Sequence, residues 1–205
     1  MPQQQGVFYK FVTSHFPRDF KGVYVDVGAG YPESFSNSFQ FRSLGWKIIA
    51  IEPQPNMCDA FRAKGYPIIQ YACSDKDEGE VDFEVCGYAG GLGGSAFKVL
   101  DPQSRINYEI TPIKVKAYTL TTILSDIHSE VEHIDVLDID VEYSELKVLQ
   151  GLDFEKYDPT VMSVENLPWN DVWHNPYIKE LREFCISKGY KLVNTIEYNE
   201  YWIKK

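Results

Sequence analysis

Apolar residues along this chain fall into short solid runs that alternate with stretches repeating every three to four positions. Residues 23–27 (VYVDV) form a nearly continuous apolar run, closed by Gly28 and Gly30, and read as a buried strand. Residues 34–44 follow as a helix, with Phe35 and Phe39 one turn apart and Gly45 as the stop. Residues 47–51 (KIIAI) are a second strand. Pro55 suits a first helical position, Met57, Cys58 and Phe61 line that helix's inner face, and Gly65 ends it. Residues 67–72 give a third strand. Strands alternating with helices over short links predict a parallel sheet covered by helices. Ahead of it, Val7, Phe8, Phe11 and Val12 predict a short amphipathic helix over 7–16.

The rhythm breaks after the third strand. Residues 80–85 and 113–117 alternate polar and apolar, as half-exposed strands do, and pair either at a sheet edge or as an antiparallel insert. Between them, residues 87–95 hold five glycines and predict a flexible loop. Leu120, Ile123, Leu124 and Ile127 make a helical stripe. The alternation then resumes with a strand over 134–139, a helix over 144–152 and a strand over 160–164. Asn175 and Pro176 open a helix with Ile178, Leu181 and Cys185 on one face and Gly189 as its stop. Strands over 190–196 and 201–204, turning around Asn199, close the chain. No repeat or long linker divides it. A helical lead-in over 1–22 and one domain over 23–205 are expected.

Composition narrows the partners. A formal charge of -10 disfavours nucleic acid, because like charge repels a phosphate backbone. No apolar run nears the roughly 20 residues that span a bilayer, and residues 1–6 lack an apolar signal core. Cys58, Cys73, Cys86 and Cys185 are far apart and form no CxxC pair, so zinc and dithiol chemistry are not indicated. A cytoplasmic protein is expected, of unspecified oligomeric state. The 15% aromatic share reads as tyrosine-rich core or interface.

Three signals fall at the carboxyl ends of consecutive strands, where parallel sheets bind ligands. The first is Asp26-Val27-Gly28-Ala29-Gly30, whose glycines permit a tight turn close to a ligand. The third glycine of a dinucleotide fingerprint is replaced by Glu33, a carboxylate ill-placed to face two phosphates at a helix N-terminus. A phosphate-free, cationic nucleoside such as S-adenosylmethionine suits Asp26 better. The second signal is Glu52, spaced to accept hydrogen bonds from ribose hydroxyls. The third is Ser74-Asp75, either an adenine contact or a turn cap.

A second acidic constellation follows. Asp138, Asp140 and Glu142 alternate, so in extended chain they point to one side. Three readings stay open: a divalent cation site, a general base toward a hydroxyl, or solvated charges capping the next helix. Asp135, at the strand's other end, is expected at the surface. Glu165 and Asn166 end the following strand at the same rim, and His174 lies in the tryptophan-rich loop after it. His15, His128 and His133 show no ligand spacing, and no nucleophile sits on a strand-to-helix elbow.

These blocks resemble the FkbM-type methyltransferase family. The likeness runs from residue 23 to about residue 204, through VDVGAG and IAIEPQP, then IDVLDIDVEYSELKVLQGLDF, then DPTVMSVEN. It implies an α/β, Rossmann-like class I methyltransferase fold. Such a fold has a mostly parallel seven-stranded sheet with an antiparallel last strand, here with a small β insert. It further implies S-adenosylmethionine as cofactor and O-methylation of a carbohydrate or polyketide-like hydroxyl. The cofactor residues expected are Asp26, Gly28, Ala29, Gly30, Glu52, Ser74, Asp75 and Asp138, and the catalytic ones Asp140, Glu142 and Glu165. No resident metal is expected. The chain departs from the family pattern where Asp138 replaces a lysine and Tyr143 a glycine. Absence of an N-P-P-Y block argues against methylation of adenine amines. Two rivals use the same sheet: a nicotinamide or nucleotide-sugar enzyme, and a binding module without an acceptor site.

Overall fold

The structure is a computed structural model and describes residues 3–34, 36–87, 95–96, 109–166, 176–196 and 198–205. Ten strands and six helices follow in the order α1 (Gln3–Thr13), β1 (Val23–Val27), α2 (Phe39–Ser43), β2 (Lys47–Ile51), α3 (Pro55–Ala63), β3 (Ala72–Ser74), β4 (Gly79–Gly87), β5 (Ser95–Ala96), β6 (Glu109–Thr119), α4 (Leu120–Ile127), β7 (Val136–Ile139), α5 (Glu145–Gln150), β8 (Val161–Glu165), α6 (Pro176–Ser187), β9 (Tyr190–Ile196) and β10 (Asn199–Lys204) among the described residues.

The main sheet has six strands in the order β2-β1-β7-β8-β10-β9. The first four run parallel, and β10 runs antiparallel to both β8 and β9. The expected antiparallel last strand is therefore present, but the expected seven-stranded sheet is not. The third strand begins to join: Ile69 donates its N–H to Ala50 O and accepts from Glu52 N. The chain then peels away. Tyr71 packs edge-on against Tyr118, and Ala72 pairs with Ala117 of β6. This puts β3 in a separate four-stranded sheet, β3-β6-β4-β5, and shortens the expected 67–72 strand to Ala72–Ser74. The antiparallel β4–β6 pair is the expected insert. Of the glycine loop, Gly87 and Ser95 belong to strands, and residues 88–94 lie outside the described residues.

Two apolar layers sandwich the main sheet, because strand residues point alternately to its two faces. Val25, Val27, Leu137 and Ile139 pack on one side with Leu120, Leu124, Val148, Leu149 and Leu181 from the helices. Tyr24, Val136 and Tyr201 pack on the other with Phe8, Val12 and Phe41. Helix α1 is thus part of the core, with Phe8 stacked on Tyr201 at 5.5 Å between ring centroids. Asp135 is not the surface residue expected. Its Oδ2 accepts the Val23 N–H at 2.7 Å, pinning the start of β1.

The largest departure is α2, which covers five residues rather than 34–44. Residues 36–38 are Ser-Asn-Ser, whose short polar side chains compete with the backbone for hydrogen bonds and disfavour helix interiors. Here they turn inward to buried carboxylates on the sheet. Phe35 lies outside the described residues.

Candidate active site

The ends of β1 and β2 build a compact turn. Gly28 and Ala29 both donate N–H bonds to Ile51 O, at 2.9 and 3.1 Å. Gly30 donates to Glu52 Oε2 at 3.0 Å, and Gln54 donates to Glu52 Oε1 at 2.9 Å. Each Glu52 oxygen therefore holds one backbone donor and keeps a lone pair for a ligand hydroxyl. Glu52 is only 3% exposed, and burial pushes its carboxyl up to about 7, against the opposing pull of those two N–H bonds. Gly28 has φ +83°, and a Cβ there would stand 1.8 Å from Asp140 O. Only glycine lets β1 and β7 close this tightly.

Beside the turn, Asp26 and Asp138 are register partners on adjacent strands and both are buried. Ser36 Oγ donates to Asp26 Oδ2 at 2.7 Å. Tyr24 Oη and Asn37 Nδ2 both donate to Asp138 Oδ2, at 3.1 and 2.9 Å. Burial raises both carboxyls, Asp138 to about 7, and the neighbouring negative charges raise them further. The alternation that suggested Asp138, Asp140 and Glu142 on one side does not persist. Strand β7 ends at Ile139, and Glu142 and Tyr143 adopt left-handed backbone at φ 55° and 72°. Asp138 consequently joins Asp26, and Glu142 joins a different group.

That group is Asp140, Glu142 and Glu165, each offering an oxygen within 4.8 Å of the others'. Asp140 faces solvent, Glu142 is half-buried and Glu165 is buried. Glu165 and Asp140 share a hydrogen bond. Burial, then the Asp140 and Glu142 charges, drive the Glu165 carboxyl far above the carboxylate range. Desolvation of its carboxyl within this cluster raises Asp140, although the residue is exposed, and burial raises Glu142 to about 7.

Glu145 sets this geometry and was not read from the sequence as part of the site. Its Oε1 accepts the N–H groups of Val141 and Tyr143, at 3.3 and 3.1 Å, and its Oε2 accepts the Tyr177 hydroxyl at 2.6 Å. The S-E-L block that opens α5 was the available signal, since an acidic residue in a first helical turn commonly bonds preceding backbone. No lysine, arginine or histidine forms an ion pair with Asp26, Glu52, Asp138, Asp140, Glu142, Glu145 or Glu165 among the described residues.

Ser74 is buried at the end of β3, and its hydroxyl bonds Asp75 and Glu78 at 3.1 and 2.9 Å. The turn uses it, while Asp75 is exposed. Glu33 is not at a helix N-terminus. It lies in a turn and pairs with Lys64 at 2.8 Å on the surface. His174 and its tryptophan-rich loop fall outside the described residues.

The sequence profile of the Methyltransferase FkbM domain matches residues 26–192. The chain belongs to this FkbM methyltransferase family. A comparison with the curated proteins finds no match. Among solved structures, the FkbM methyltransferase of Methylobacillus flagellatus KT superposes with a TM-score of 0.52 at 14% identity, covering 93% of this chain and 45% of that one. Monomeric WbdD gives a TM-score of 0.49 at 13% identity, covering 98% of this chain and 41% of its own. This FkbM-family chain therefore spans under half the length of those two structures. No helix among its described residues is long and apolar enough to cross a membrane.

Tyr143 stands at φ 72°, a region that disfavours L side chains by roughly 1–2 kcal/mol. Tyr143→Gly removes that strain but also the ring, whose centroid lies 6.2 Å from that of Tyr177. The two effects offset, and thermal melting is expected to place the variant within about 3 °C of the parent.

Proposed function

We propose that this methyltransferase transfers the methyl group of S-adenosylmethionine to a hydroxyl of a small molecule, carbohydrate or polyketide-like. One observation carries the reading: a glycine turn clasped by Glu52, beside buried acidic groups with no cationic partner among the described residues. That set of acceptors fits a ligand with ribose hydroxyls and positive charge. It does not fit a pyrophosphate. Such groups bind at the N-terminus of a substantial helix, and α2 is five residues long and starts nine residues beyond Gly30. The short α2, rather than Glu33, counts against the nicotinamide rival.

Gly28, Ala29 and Gly30 would hold the nucleoside by close backbone approach, Glu52 by accepting its hydroxyls, and Asp26 by its negative charge. When bound, S-adenosylmethionine supplies an electrophilic methyl group on a sulfonium. The chain's own part is to place the acceptor oxygen and take its proton. Asp140 is the base the geometry supports. It is an exposed residue, next to the glycine turn through its carbonyl oxygen. A carboxyl raised above its ordinary value is a better base near neutral pH. Glu142 and Glu165 define the rim. Positioning the two reactants contributes several kcal/mol besides.

The test is transfer of labelled methyl to a panel of hydroxylated sugars and polyketide-like compounds. Label is expected in a methyl ether, with kcat about 100-fold lower in Asp140→Asn, within the usual range for a general base, and cofactor affinity nearly unchanged. Label on nitrogen, or full activity in that variant, refutes the proposal.

A further inference from the structure

We infer that Asp140, Glu142 and Glu165 form a binding site for one hard divalent cation, such as Mg²⁺ or Mn²⁺. Three carboxylate oxygens within 4.8 Å of one another outline a triangle. An ion with metal–oxygen distances of about 2.0–2.6 Å fills it with side-chain shifts below about 1 Å. An all-oxygen, all-anionic donor set suits hard cations such as Mg²⁺ and Mn²⁺, and offers none of the imidazole or thiolate that zinc and copper sites use.

A second observation points to a missing ligand. Glu165 is 9% exposed, and its Oε2 is buried without a hydrogen-bond partner. Native structures rarely leave a buried carboxylate oxygen unsatisfied, because the group is then desolvated without compensation. Nothing cationic among the described residues pairs with any member of the triad. A divalent ion would satisfy Glu165 Oε2 and offset the mutual repulsion of the three carboxylates in one step. The scaffold for it already exists: Glu145 fixes the residue 141–143 backbone from which Glu142 projects. Glu142 sits at φ 55°, directed away from the strand direction and toward Asp140 and Glu165.

Three side chains leave about half of an octahedral shell for water or for the acceptor. Resting on the hydroxyl-methylation reading, the ion would favour acceptors carrying two adjacent oxygens, able to chelate it. Binding of the ion itself does not depend on that reading.

The test is Mn²⁺ binding to the chelator-treated full chain, followed by electron paramagnetic resonance and calorimetry without cofactor. One Mn²⁺ per chain is expected, with a Kd in roughly the micromolar range typical of exposed carboxylate sites, displaced by excess Mg²⁺. Glu165→Gln and Glu142→Gln should each weaken it at least about tenfold, and Glu33→Gln, on the surface, should not. Where one variant fails to fold, by circular dichroism, the other carries the comparison. Mn²⁺ should also raise the melting temperature of the parent by mass action. No stoichiometric Mn²⁺, or equal affinity in every folded variant, overturns the site. S-adenosylmethionine titrated into the same samples separates the two claims: cofactor binding without Mn²⁺ binding sinks this inference alone, and the converse sinks the methyl-donor reading alone.

Discussion

The ligand-free protein is expected to melt at least about 10 °C lower at about pH 8 than at about pH 5. The expectation follows from carboxyls raised by burial. Glu52, Asp138 and Glu145 are each pushed up to about 7, and Asp26 and Glu165 are raised as well. A group that holds its proton more tightly folded than unfolded stabilises the fold fully below its unfolded value, near 4. That contribution is lost as pH rises through the folded value, near 7. For Glu52 alone the shift from 4.5 to about 7 corresponds to about 3 kcal/mol. In a chain this long that is worth roughly 10 °C. The direction is the reverse of the usual acidic protein, whose paired carboxylates gain stability as pH rises. Surface pairs such as Lys64–Glu33 are too exposed and too weak to reverse it. Calorimetric melting across this pH interval checks the sign. A flat or rising profile would show that these carboxyls are ionised in the folded protein, contrary to their burial. A cationic ligand favours the ionised forms, so S-adenosylmethionine or Mn²⁺ should narrow the gap and release protons on binding.

Glu52→Ala is expected to weaken S-adenosylmethionine binding at least about 100-fold. The carboxylate orders the glycine turn, through the Gly30 and Gln54 N–H groups, and on the proposed function its remaining lone pairs would accept from the ligand. Charge-assisted hydrogen bonds contribute about 1.5–3 kcal/mol each, and two of them account for the loss. Stability should change less than affinity. The orphaned N–H groups destabilise the variant, while removing a buried carboxyl that ionises unwillingly at neutral pH offsets them. Gly28→Ala separates the roles differently. Its Cβ meets Asp140 O at 1.8 Å, so the ends of β1 and β7 must part, and both stability and affinity should fall. Isothermal titration beside thermal melting distinguishes the two patterns. Unchanged affinity in folded Glu52→Ala would remove Glu52 from the ligand.

The parts of this site that local pattern encodes were legible in the sequence. Apolar runs marked β1, β2, β7 and β8, and Pro55 and Pro176 marked the starts of α3 and α6. The Asp26–Gly30 turn and Glu52 were found because strand, turn and spacing all lie within one stretch of chain. What escaped depends on partners far away in sequence. Ser36 and Asn37 abandon a helix to reach Asp26 and Asp138, the latter 101 residues from Asn37. The third strand leaves the main sheet because Tyr71 and Ala72 find better partners in β6. Asp138 parts from Glu142 because Glu145 bonds back to the intervening loop and turns it left-handed. Periodicity assumes a continuing strand and contains no sign of that reversal.

The most direct test of the account is a pair of titrations on the unmodified chain at neutral pH, one with S-adenosylmethionine and one with NAD. The clasped glycine turn, with its short following helix and uncompensated carboxylates, predicts saturable one-to-one binding of S-adenosylmethionine, accompanied by proton release, and no heat from NAD. Tight NAD binding with none of the sulfonium nucleoside would contradict it.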